Sequence, residues 1–274
     1  MGIEFTILSH GTIENDIAWN LSVPNPASKY DKNPAAQWVS VPSFSVLIKH
    51  PQAGYILYDT GSCPGDEKDR RPEYAQTYFP FYANPEDFLD ARLKELKLTV
   101  NDISTIVVSH MHWDHSGGLQ LFKGTPAGQN VQVHRKDFEY GLAETHRSSD
   151  IPFAGGGYYK GNFEFEGLSY NFVAEDQELA EGIEIITLGG HTPGILGLVV
   201  HLDSGAYIFT SDAVYMQKNY GPPVIVPGIV YDTLGFFEGI DKLRKLEKRY
   251  NAKIIFGHDI EQFAGLKKAP YFYR

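Results

Sequence analysis

Six consecutive residues, His110-Met111-His112-Trp113-Asp114-His115, set three imidazoles and a carboxylate directly after an apolar run. Imidazole nitrogen and carboxylate oxygen are the donors that suit zinc and its first-row neighbours, whereas Mg²⁺ and Ca²⁺ call for an oxygen-dominated set. A merely solvated turn is the bland alternative, and it holds only if nothing else in the chain comes to meet this cluster. Three residues can. His191, Asp212 and His258 follow runs that read as strands, at 183–188, 207–210 and 253–256, so each is delivered to a strand end. Gly189-Gly190 and Gly257 let the backbone turn sharply just before two of them. The five histidines and two aspartates then suffice for two divalent metal ions, zinc first among the candidates, with positions left open for water and a substrate. His10, His50, His134, His146 and His201 stand alone and read as structural or exposed, although His134 also ends a strand.

The elements that must position these residues are short. Strands are predicted at 3–8, 43–50 and 55–59, the last two joined by Pro51-Gln52-Ala53-Gly54 as a hairpin-like turn. Asn84-Pro85-Glu86-Asp87 supplies a helix start, and Phe88, Leu89, Leu93 and Leu96 carry helical spacing to about residue 98. Then come a strand at 105–109, a short helix near 119–122, a strand at 131–134 and a helix from Lys136. Further strands are read at 169–173, 183–188, 196–202 and 207–210. Phe236, Ile240, Leu243, Leu246 and Tyr250 mark one face of a late helix before the strand at 253–256. Both halves run from strands to helix to strand without a Pro/Ser linker, which predicts an α/β fold and a single domain over 1–274 with two face-to-face sheets and outer helices. Segments near 12–40, 62–83 and 146–166 lack periodicity, are rich in Pro, Gly and aromatics, and read as pocket walls. Gly155-Gly156-Gly157 lacks the following Gly-Lys-Ser/Thr of a phosphate loop.

Composition narrows the function. Apolar residues make up 42% of the 274, enough for a sizeable core, and the net charge of -10 opposes a nucleic-acid partner. Cys63 is the sole cysteine, which excludes an internal disulfide and fits a reducing cytosol. No leader pattern and no apolar stretch near the roughly 20 residues of a membrane span is evident, so a cytoplasmic protein without membrane contact is expected. Monomer and homodimer both stay open.

His110-x-His112-x-Asp114-His115, followed by His191, Asp212 and His258, resembles the metal-binding series of the metallo-β-lactamase superfamily in its order and over essentially the whole chain. The resemblance implies an αββα sandwich with the site at one edge of the two sheets. It implies that His110, His112 and His191 hold one metal, that Asp114, His115 and His258 hold the other, and that Asp212 bridges them. Asp59-Thr60-Gly61 looks like the family's early aspartate turn, whose carboxylate steadies a ligand from behind. Within the superfamily the chain is most similar to N-acyl homoserine lactonases, which quench bacterial quorum signals. Ser211-Asp212-Ala213-Val214-Tyr215 and Phe256-Gly257-His258-Asp259-x-Glu261-Gln262-Phe263 carry that likeness, together with the short stretch after the last ligand. The implied chemistry is attack of a metal-bridging hydroxide on a small-molecule lactone. Tyr215 would stabilise the carbonyl oxygen, and Asp114 would pass the proton to the leaving alkoxide. Trp38, Tyr78, Phe79, Phe81, Tyr158 and Tyr159 would line an acyl-chain pocket or simply pack the loops.

Rival functions meet obstacles in the same residues. A glyoxalase II-like thioesterase shares the ligands but resembles this chain only up to a helical C-terminal region, and Asp259–Arg274 is too short for one. Superfamily nucleases are opposed by the charge, and flavo-diiron enzymes carry Glu where His112 stands. A binding-only protein would saturate its metal with four protein ligands, often cysteines, whereas this set leaves coordination open. One departure concerns His191-Thr192-Pro193-Gly194-Ile195, where many members of the superfamily end in His; that position is not among the implied ligands.

Overall fold

The computed structural model describes residues 2–68, 70–147, 153–154, 157–163 and 166–274, the pair 153–154 by backbone alone. Alternation of apolar side chains builds two mixed sheets. The first orders its seven strands Phe81–Tyr82, Glu4–Asp16, Trp38–His50, Gly54–Tyr58, Ile103–Val107, Val131–His134 and Tyr170–Val173. Pairing is antiparallel through Gly54–Tyr58 and parallel from there to Tyr170–Val173. The second orders Gln177–Ala180, Ile183–Leu188, Ile195–Leu202, Gly205–Phe209 and Lys253–Ile255, with only the last pair parallel.

Period two decides which layer each side chain joins. Val46, Ile48, Ile56 and Tyr58 point between the sheets and meet Ile183, Ile185, Leu196, Leu198 and Phe209 from the other side. Their neighbours Leu47 and Leu57 point outward onto Leu89 and Leu93 of helix Leu89–Glu95. On the opposite outer face, Ile186, Val199 and Ile208 pack against Phe236, Ile240 and Leu243 of helix Thr233–Tyr250. Asp232 caps that helix through Leu234 N–H, and Asn251 ends it in the left-handed region. The result is the expected αββα sandwich.

Two expectations need correction. The helix predicted from residue 85 to about 98 is a 3-10 turn, Pro85–Asp87, followed by the shorter Leu89–Glu95, because Phe88 is extended (φ -74, ψ 153). The first strand runs on to Asp16 and the second begins at Trp38, so the two ends of the segment near 12–40 are sheet rather than loop, while 17–37 is irregular apart from a 3-10 turn, Ile17–Trp19. Strand Gln177–Ala180 was not expected, since only its last two residues are even half-buried. Among the described residues no helix is long and apolar enough to cross a membrane.

Candidate metal centre and active site

Parallel pairing of Gly54–Tyr58 with Ile103–Val107 brings the Asp59 turn beside the histidine-rich one. Asp59 Oδ1 accepts Ser109 N–H at 2.6 Å, and Oδ2 accepts the Ser109 hydroxyl at 2.9 Å and faces His115 Nδ1 at 2.8 Å. Thr60 donates its backbone N–H and its hydroxyl to the His115 carbonyl, at 2.7 and 2.9 Å. From the other sheet, Gly190 reaches φ +108 before His191, where a Cβ would lie 2.8 Å from that of Phe236. At Gly257 a Cβ would lie 2.7 Å from the Ser211 carbonyl, so only glycine lets the last two ligand segments approach. Asp59 (φ 62) and Ser211 (φ 46) both occupy the left-handed region, which costs roughly 1–3 kcal/mol each and is sustained by the packing around the site.

All seven singled-out donors come together in two buried groups. His110, His112 and His191 form one; Asp114, His115, Asp212 and His258 form the other, the donor atoms within each group lying within 4.8 Å of one another. Asp212 faces both. Its Oδ1 is 3.2 Å from His115 Nε2 and 3.0 Å from His258 Nε2, while Oδ2 is 3.6 Å from His191 Nε2 and 3.9 Å from His110 Nε2. In the first group His191 Nε2 is 3.1 Å from His110 Nε2 and 2.9 Å from His112 Nδ1, near the roughly 3.3 Å edge of a tetrahedron with metal–nitrogen bonds of about 2.0–2.1 Å.

The far nitrogens are held from behind. Ser109 Oγ engages His110 Nδ1 at 3.0 Å, Asp59 engages His115 Nδ1, the Tyr215 hydroxyl engages His191 Nδ1 at 2.8 Å, and the Pro42 carbonyl accepts from His258 Nδ1 at 2.8 Å. Such outer partners fix the tautomer and aim the other nitrogen inward. His115 Nε2 and Asp212 Oδ1 are buried and lie 3.2 Å apart, and neither makes a well-formed hydrogen bond among the described residues. A shared cation would give both a partner, so the residues present fit two divalent ions.

Burial is the main force on charge here. It pushes His110 and His112 well below the ordinary imidazole range and takes His191 down to about 4, leaving three neutral donors. Burial also works against charge on His115 and His258, but Asp212 and Asp114 outweigh it at both, with Asp59 adding at His115, and raise them. Burial opposes ionisation of Asp114 and Asp212 too, and the adjacent His115 and His258 overcome it, so both carboxyls sit below the ordinary range.

These groups floor a cavity of about 770 Å³. His112, Asp114, His191, Asp212, Tyr215 and His258 line its base, and Ile13, Trp19, Val41, Ala75, Phe79 and Ile229 are among its apolar walls. The size suits a small molecule. Of the aromatics singled out in the sequence, Tyr78 and Phe79 face the cavity. Trp38 is half exposed and donates to Glu14, Phe81 packs edge-on to Trp113, Tyr158 packs against His112, and Tyr159 lies under Arg70. Segments 12–40 and 62–83 both contribute wall residues; part of the third segment, with Gly155 and Gly156, lies outside the described residues, while the Gly157 carbonyl accepts Trp113 N–H.

The five lone histidines stay out of both groups. His10 is locked between the Asp87 carbonyl and Ser45, His50 against the Glu181 carbonyl, His146 on Leu142 and His201 on Glu184. His134 accepts Lys136 N–H, and its ring fills the place where a Cβ on Gly194 would be. Missed in the sequence were Asn15, Asn20, Arg71 and Tyr74 on the wall and Asp137 beneath the floor. Asp137 is fully buried, accepts Met111 N–H at 2.8 Å and the Tyr158 hydroxyl at 2.5 Å, and is pushed up to about 7 by burial. Only its place in the first turn of a helix after a strand hinted at it.

Comparison with known proteins gives the family and the fold. The family model for the metallo-beta-lactamase superfamily matches residues 39–258. N-acyl homoserine lactonase AiiB of Rhizobium rhizogenes is 32% identical, with 98% of each chain covered. N-acyl homoserine lactonase AttM of Azorhizobium caulinodans is 30% identical, over 88% of this chain and 90% of its own. Among solved structures, a variant of AiiA from B. thuringiensis with N-decanoyl-L-homoserine at its active site superposes with a TM-score of 0.82, at 24% identity and 98% coverage of both chains. AidC, a dizinc quorum-quenching lactonase, gives a TM-score of 0.69 at 17% identity, over 98% of this chain and 92% of its own.

Proposed function

Since this chain belongs to the metallo-β-lactamase superfamily, we propose that it is a two-metal hydrolase that opens the lactone ring of N-acyl homoserine lactones. One observation carries the reading: two buried donor groups, both faced by Asp212, floor an apolar cavity of about 770 Å³ into which Asp114 and Tyr215 also look. A polar base suits a lactone head and apolar walls suit an acyl chain. The names of the full-length relatives support the same substrate class.

In this reading His110, His112 and His191 hold one cation, Asp114, His115 and His258 the other, and Asp212 joins them. Zinc is the ion proposed, on the strength of the imidazole and carboxylate donors and of the dizinc relative. Bound there, the two cations supply Lewis acidity that polarises the lactone carbonyl and makes water nucleophilic near neutral pH. His191 Nδ1–H donates to the Tyr215 oxygen, which leaves the phenolic O–H free to donate to the carbonyl oxygen as negative charge grows on it. Burial and the carboxylates of Asp212 and Asp114 hold the Tyr215 hydroxyl well above its usual range, so it acts as a neutral donor. Asp114, ionised in spite of burial, accepts the proton of the attacking water and returns it to the ring oxygen as the carbon–oxygen bond breaks. Water adds across the ester, and the products are the open-chain acid and its hydroxyl.

The chain is read as a single domain over 1–274, supported by the shared core between the sheets, and the single Cys63 supports a cytoplasmic setting. Acid release from acyl homoserine lactones, a plain aliphatic lactone and a glutathione thioester, with metal content measured alongside, tests the proposal. Preference for the acylated lactones is the expected result. Preference for the thioester would move the assignment to a glyoxalase II-like activity, and no turnover by fully metallated protein would leave a binding protein.

A further inference from the structure

Arg71 is 2% exposed, yet it lines the cavity beside the metal floor. Its guanidinium lies on the Trp113 ring, 4.1 Å from the centroid, and Trp113 immediately precedes Asp114. Nε donates to the Asp66 carbonyl at 2.9 Å and Nη1 to the Phe79 carbonyl at 2.8 Å. Of the five N–H donors a guanidinium carries, only these two are engaged among the described residues. Asp66, Asp114 and Glu67 favour its charge from a distance, but among the described residues no carboxylate is paired with it directly: Asp66 places its oxygens on Arg70, at 2.6 Å, and on Cys63 N–H, at 2.8 Å. A buried cation with unengaged N–H donors is costly, and an acceptor arriving with a ligand would offset that cost.

We infer that Arg71 is the specificity-determining residue that reads the amide carbonyl of the acyl side chain, so that the pocket prefers N-acylated lactones to plain alkyl lactones. The inference rests on the lactonase reading above. Asp114, Asp212 and Tyr215 fix the reacting ring over the floor, and the stack on Trp113 sets the guanidinium next to it. The first hydrogen-bond acceptor beyond the ring of an N-acyl homoserine lactone is its amide oxygen. The same wall carries Ile13, Val41, Ala75 and Ile229, which suit methylenes. A guanidinium already stacked and tethered at two N–H groups gives up little further freedom when it binds.

The test compares wild type, Arg71→Met and Arg71→Lys on N-hexanoyl homoserine lactone and on a γ-alkyl lactone of equal length without an amide. Metal content is measured in each, and calorimetry gives the affinity for ring-opened N-hexanoyl homoserine. Arg71→Met should keep both metals and lower the ratio of the two kcat/KM values about 10- to 100-fold, mainly through KM, the size of a lost hydrogen bond to a charged group. Product affinity should fall by a similar factor, and Arg71→Lys should recover part of it. Equal losses on both substrates would reduce Arg71 to a loop tether and overturn the inference while leaving the lactonase reading intact. If Arg71→Met does not fold, the same ratio in Arg71→Lys decides, an unchanged ratio being the contrary result. A metallated wild type that neither opens either lactone nor binds the ring-opened acid would instead overturn the lactonase reading, and the role of Arg71 with it.

Discussion

The floor and the wall of the cavity are built on opposite principles. Floor residues sit at strand ends, are buried, and have their rear nitrogens held by Ser109, Asp59, Tyr215 and the Pro42 carbonyl. Wall residues come from the first two strands, the short helix Glu73–Tyr78 and the loops around them, and include half-exposed aromatics such as Trp19, Tyr74 and Tyr78. The contrast teaches that chemistry and selectivity are separable here: the floor tolerates almost no displacement, whereas the wall can be reshaped without disturbing the donors.

Breaking the floor should give the largest effects. Asp212→Ala removes the one carboxylate that faces both donor groups, so loss of metal together with about a 10³-fold or greater fall in turnover is expected, read by elemental analysis and lactone hydrolysis. Retained metal with near-normal rate would dissolve the distinction between floor and wall. Asp59→Asn acts one layer further out, through His115 Nδ1 and Ser109, and should lower metal affinity or activity about 10- to 100-fold in a chelator competition. Tyr215→Phe keeps the donors but removes the hydroxyl that meets His191 and that the proposed mechanism sets on the carbonyl oxygen. A fall in kcat of about 10- to 100-fold with both metals in place is expected, and loss of metal would make Tyr215 a structural prop instead.

Changes to the wall should be smaller and should appear in KM. Trp19→Ala is expected to raise KM for a long acyl chain several-fold, about 0.8 kcal/mol for each methylene left in water, with kcat and metal content unchanged. An equal effect on short and long chains would show that Trp19 does not meet the acyl tail.

The floor was legible in the sequence because each of its residues announces itself by type and follows a recognisable strand. The wall was not, and the first strand shows why. Along Glu4–Asp16 the register shifts between Ser9 and Thr12, around Gly11 at φ 96, and beyond that break Asn15, buried and lining the cavity, stands where an apolar residue would have continued the pattern. The break and a buried polar side chain, bonded to Asn20, thus disguised the end of a strand as a loop. Ser40 and Pro42 did the same to the start of Trp38–His50, whose Pro42 carbonyl holds His258. Arg71 sits just before a short helix, Glu73–Tyr78, in a stretch with no period to say which way its side chain would turn. Its burial against Trp113 follows from tertiary packing that sequence spacing does not encode.

Anomalous diffraction from crystals grown with zinc, recorded on both sides of the zinc edge, addresses the two-metal floor most directly. The account predicts two zinc peaks, one among His110, His112 and His191 and one among Asp114, His115 and His258, with Asp212 reaching both. A single peak, or zinc confined to other residues while the seven donors remain unligated, would contradict it.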